Sequence, residues 1–160
     1  SSSPGLNAED LARTSIPIDD IDENGASTGI TFHVMNPVRC MESRVHNVIG
    51  LNKSSPHALK QLRASIFCAR EFMRDILNAG YIREALRLTK RIFNLCDGDI
   101  DGRLIHARTG IDPFDAVLCE PPLPEKFITV QYPKMQERLR RRRASRLAKP
   151  RGPAGPDGQR

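Results

Sequence analysis

Apolar residues recur at helical intervals through the middle of this chain and thin out towards both ends. One short stretch breaks the helical rhythm. In Gly29 to Met35 (GITFHVM), Ile30, Phe32 and Val34 alternate, which predicts a single strand or an extended piece lying on a helical body. His33, on the opposite face, reads as a solvated side chain. The preceding residues, rich in Ser, Asp, Asn and Gly, predict a disordered or extended arm up to about Thr28.

Asn36-Pro37 supplies an N-cap followed by proline at the first helical position, where a missing N–H costs nothing. Val38, Met41, Val45 and Val48 follow at intervals of 3, 4 and 3, and Gly50 stops the helix. Ser55-Pro56 repeats the start signal for a longer helix ending at Asn78-Ala79-Gly80. Its stripe is Leu59, Leu62, Ile66, Ala69, Met73 and Ile76, with Lys60, Arg63, Arg70 and Arg74 off it. Phe67, Cys68, Phe72 and Leu77 widen the apolar surface, so this helix is expected to touch more than one neighbour. A third helix carries Ile82, Ala85, Leu86, Thr89, Ile92, Phe93 and Cys96. The short link at Gly80 predicts an antiparallel helical hairpin, and the first helix completes a three-helix core.

Residues 97–132 read as irregular: an Asp-rich turn, Asp112-Pro113, a Pro-rich stretch from Glu120 to Phe127, and a β-like run from Phe127 to Tyr132. Beyond Pro133, Lys134 to Ala148 reads as a helix whose few apolar residues (Met135, Leu139, Leu147) are too sparse to stabilise it alone. The expected fold is therefore mainly α. A three-helix core with an antiparallel hairpin occupies residues 29–132, an acidic flexible arm residues 1–28, and an arginine-rich helix with a flexible tail residues 133–160.

Charge sharpens this division. The 160 residues include 25 Lys and Arg against 19 Asp and Glu, a net charge of +6. Residues 1–35 hold one base and six acids, residues 36–132 hold 14 bases and 11 acids, and residues 133–160 hold ten bases and two acids. The successive nets are −5, +3 and +8. At 39% hydrophobic, the chain has room for a core in its body and little for one in its ends. With no Trp and only eight Phe and Tyr, an aromatic platform for stacking single strands is not expected. No run of 18 apolar residues is present, so no membrane-spanning helix is expected. The polar, acidic start does not read as a secretory signal peptide. A chain that begins at Ser1 suggests a fragment or a processed product; mitochondrial import followed by cleavage fits, with the nucleus as the alternative.

The basic end carries the strongest chemical signal. In ERLRRRRASRLAK and its flanks, Lys134, Arg138, Arg140, Arg141, Arg142, Arg143, Arg146 and Lys149 would surround a helix with cations that repel one another until phosphates are present. Neutralising about six phosphates predicts a log–log salt slope of about −5 on a duplex. RNA is preferred to DNA because no helix-turn-helix, zinc or basic-zipper framework accompanies the arginines. A localisation signal is the simpler alternative. Ser145, after Arg142-Arg143-Ala144, has the spacing that basophilic kinases read.

Asp97-Gly98-Asp99-Ile100-Asp101-Gly102 resembles the opening of an EF-hand calcium loop, with Asp97, Asp99 and Asp101 at its first three ligand positions. The closing Glu is replaced by Arg108, so an Asp/Gly turn that ends a helix is the preferred reading. Pro121 to Lys126 fits a PxxP-x-basic ligand or a stiff connector. Cys40, Cys68, Cys96 and Cys119 lack close pairing, which argues against zinc and predicts reduced, buried thiols acting as small core residues, three of them on apolar helical faces. His33, His46, His57 and His106 have no nucleophile nearby in sequence, and no phosphate-cradling glycine loop is present. No cofactor or catalytic activity is expected. The expected role is a non-catalytic RNA-binding structural subunit of a large ribonucleoprotein such as a mitochondrial ribosome, with structured RNA and neighbouring proteins as partners. The alternative is a viral or nuclear interaction adaptor whose helical hairpin binds a partner.

Overall fold

The structure, a computed structural model, describes residues 14–147. It is mainly helical, with five α-helices and one antiparallel strand pair among the described residues. The first helices follow from their caps and stripes. In α1 (Pro37–Ile49), the Asn36 side chain accepts from the Val38 N–H at 2.9 Å, and Val38, Met41, Val45 and Val48 are buried. In α2 (Pro56–Asn78), Ser55 Oγ accepts from the Ala58 N–H at 3.2 Å. α3 (Ile82–Asp97) buries Ala85, Leu88, Ile92, Leu95 and Cys96. A short turn joins α2 to α3 and the two touch, but α2 packs more extensively along α1.

Several expectations are corrected. The strand at Ser27–Val34 (β2) is not solitary: Ile16–Ile21 (β1) pairs with it antiparallel, Ile16 opposite Val34 and Ile18 opposite Phe32. Asp22 closes the turn by accepting from the N–H groups of Asn24 and Ala26, and Gly25 takes φ 80°. The acidic arm therefore contains the first strand, its isoleucines masked by the surrounding aspartates. Nor does the strand lie down on the body, since Ile18 is 50% and Phe32 55% exposed.

Residues 97–132 are not irregular throughout. α4 (Ile100–Thr109) starts where Asp99 caps the Gly102 N–H at 2.9 Å, and it ends at Gly110 in the left-handed conformation. It buries only Gly102 and Ile105, so no apolar stripe announces it. At Gly102 an added Cβ would lie 1.9 Å from the Leu95 carbonyl oxygen, so glycine is what lets α4 lie against α3. A 3₁₀ turn follows at Pro113–Ala116, where the Phe114 N–H donates to Asp112 Oδ1 at 3.0 Å.

The β-like run is a π-helical turn, Phe127–Gln131, which leads directly into α5 (Tyr132–Leu147). The β-branched Ile128, Thr129 and Val130 suggested a strand, but the Pro124 carbonyl accepts from both Phe127 and Ile128 and starts helical winding. The Pro-rich segment is a turn instead of a polyproline stretch: the Pro121–Pro122 bond is cis, the Leu123 N–H bonds the Glu120 carbonyl, and Leu123 is buried. Finally, of the four thiols only Cys96 is buried; Cys40 and Cys119 are half-buried and Cys68 is exposed beside exposed Phe67.

Candidate nucleic-acid interface

Helix α5 is very polar for a packed element, with Leu139 its one fully buried side chain among those described. Its arginines do the docking. One Arg138 nitrogen lies 2.8 Å from Asp97 Oδ2, with the guanidinium 5.9 Å from the centre of the Phe93 ring. Arg142 places Nε 2.8 Å from Asp97 Oδ1 and donates to the Asp97 carbonyl at 2.9 Å. Arg143 grips both oxygens of Asp112 at 2.7 and 2.8 Å, and Arg146 donates to the Arg103 carbonyl at 2.7 Å. Asp97 is buried at the C-terminal end of α3, where the helix dipole already disfavours a carboxylate, so two guanidiniums there relieve an unfavourable charge. These four arginines tie α5 to α3, α4 and the 3₁₀ turn.

The opposite ridge faces outward. Lys134 is exposed, Arg140 is 70% and Arg141 76% exposed, and both arginines pair with Glu137 at 2.8 and 2.7 Å. Those two guanidiniums, Arg140 first, hold the Glu137 carboxyl well down, at about 2. Exposed pairs of this kind are weakened by water and salt, so an incoming phosphate can displace Glu137 from either partner. Arg138 remains more than half exposed while touching Asp97. Lys149 lies outside the described residues. The cations read from the sequence as one ring therefore divide into a docking set, Arg138, Arg142, Arg143 and Arg146, and an outward set, Lys134, Arg140 and Arg141, with Arg138 contributing to both. Sequence reasoning missed a second basic face. On α3, Arg83, Arg87 and Lys90 recur at exposed positions four and three residues apart, a spacing concealed by the near-neutral charge of the body.

The aspartates of the calcium-like motif are separated. Asp97 belongs to the arginines, Asp99 is the N-cap of α4, and Asp101 Oδ2 lies 2.9 Å from His46 Nδ1. Helix α4 occupies the stretch that an EF-hand loop would need, so the three aspartates do not converge as the ligands of such a loop would. His46, Asp99 and Asp101 do place three possible metal-ligand atoms within 4.8 Å of one another. Their contacts are those of a latch between α1 and α4, close enough to Gly50 that a Cβ there would lie 2.9 Å from Asp101 Oδ2. Ser145 donates to the Arg141 carbonyl at 2.9 Å within regular helix.

A cleft of about 720 Å³ runs between α2, the 3₁₀ turn and α5, bordered by Arg70, Arg140 and Arg143 and by the rings of Phe114 and Tyr132. A smaller cavity of about 410 Å³ lies between α1 and α3, where Glu42 pairs with Arg39 and with Arg91 at 2.6 Å. No protein-family model, curated protein or solved structure matches this chain.

Proposed function

We infer that this chain is a non-catalytic RNA-binding subunit of a large ribonucleoprotein, a mitochondrial ribosome being the setting that suits it best, and that α5 contacts RNA phosphates. The observation that carries this reading is the division of the arginines. One set anchors the helix through Asp97 and Asp112, so the cations of the other set are ordered before RNA arrives and binding loses less conformational entropy. Guanidiniums suit phosphate oxygens, and each exposed pair to Glu137 is exchanged for a stronger one. The test is RNA affinity of the full chain carrying Lys134→Glu and Arg141→Glu. Affinity should fall at least tenfold with helicity unchanged, because neither side chain helps to dock α5.

One observation favours a second reading, an interaction adaptor. The hairpin β1–β2 exposes Ile18, Ile30, Phe32 and Val34, each by two-fifths or more, together with four acids, Asp19, Asp20, Asp22 and Glu23. In the ribonucleoprotein reading this is the surface for a neighbouring protein. An adaptor would keep that partner and show no RNA affinity.

A further inference from the structure

Four of the chain's eight aromatic residues converge where α5 meets the body. Tyr132 stacks on Phe114 with ring centres 5.6 Å apart and planes 19° apart. Phe93 meets Phe114 edge-on at 6.3 Å, and Phe127 tilts against Tyr132 at 6.2 Å. The π-helical turn at Phe127–Gln131 sets the rotation with which Tyr132 enters α5, and such turns recur at functional sites.

The cleft beside this cluster is within the range of about 300–1,000 Å³ usual for small-ligand sites. Arg70 donates to the carbonyls of Asp115 and Val117 at 2.7 and 3.2 Å and so fixes one wall. Arg143, locked on Asp112, lines the interior, and Arg140 stands exposed on the border. Asp115 offers a carboxyl that its partial burial, and after it the charge of Asp112, pushes above its ordinary range.

We propose that this cleft receives one unpaired nucleotide of the bound RNA, its base against the Tyr132 wall and its phosphate towards Arg140. A free inorganic anion would use the guanidiniums and leave the aromatic wall idle. A purely apolar ligand would use the aromatic wall and leave the polar groups that line the cleft idle. A nucleotide matches both halves: its base has a face for the ring and edge groups for Gln136 and Asp115, and its phosphate has a cation. The proposal rests on the RNA reading above and narrows it, from phosphate contact in general to a preference for RNA with unpaired bases.

The test compares two RNAs of equal length and composition at matched salt, a stem-loop with an unpaired loop and a blunt duplex. The native chain should bind the stem-loop about tenfold more tightly, the scale of one base–aromatic stack. Gln136→Trp, a neutral change at an exposed position lining the cleft, should fill it and abolish the preference for the stem-loop. Because that variant could misfold, its helicity is checked. Independently, Tyr132 ring resonances of the native chain should shift with 5′-cytidylate or 5′-adenylate and not with ribose 5-phosphate. Equal affinity for the two RNAs, a preference retained in folded Gln136→Trp, or no Tyr132 shift would overturn the nucleotide site and leave the RNA reading standing. No binding to either RNA would remove both.

Discussion

Asp97 takes two guanidiniums at a helix end whose dipole already carries partial negative charge, and its carboxylate is 7% exposed. Removing both cations would leave that charge buried and uncompensated. Arg138→Ala combined with Arg142→Ala should therefore destabilise the fold by about 3 kcal/mol in urea denaturation, with part of the loss recovered by adding Asp97→Asn. A purely surface pair would give less than about 1 kcal/mol. Neither partner's role was legible in the sequence, because Asp97 and Arg142 are 45 residues apart and composition alone assigns every arginine of the tail to the solvent. The same holds for the aromatic residues. Phe93, Phe114 and Tyr132 are widely spaced, so their scarcity was visible in the sequence and their convergence was not.

Elements that bury one continuous stripe were legible; those held by a few contacts were not. Helices α1 and α2 follow their caps, and α1, α2 and α3 their 3-4 spacing, since most of each stripe is in the core. Helix α4 has no stripe to read and depends on the close approach at Gly102. Gly102→Ala should accordingly cost about 1–3 kcal/mol, the usual penalty for overpacking, despite the higher helix propensity of alanine. A thermal melt showing stabilisation would mean that α3 and α4 are not in contact there. The hairpin is the converse case, regular structure with little support from the body. Deleting the chain through Val34 should leave the melting temperature of the helical body within a few degrees of the intact chain, because none of the described residues of that segment lies in the core.

At the scale of the whole molecule, charge is segregated into an acidic hairpin, a helical body and a basic helix fixed to that body. The sequence showed the polarity of the two ends but not that one end is folded down by its own arginines. Anchoring lowers the number of cations available to RNA: about four, Lys134, Arg138, Arg140 and Arg141, instead of the whole run. That difference is measurable. The most direct test is the affinity of the full chain for an RNA duplex as a function of salt. Four phosphate contacts predict a log–log slope of about −3.5, shallower by about 2 in the chain carrying Lys134→Glu and Arg141→Glu. Absence of binding at low salt, or a slope unaffected by those two substitutions, would contradict the assignment of α5 as the RNA-contacting surface.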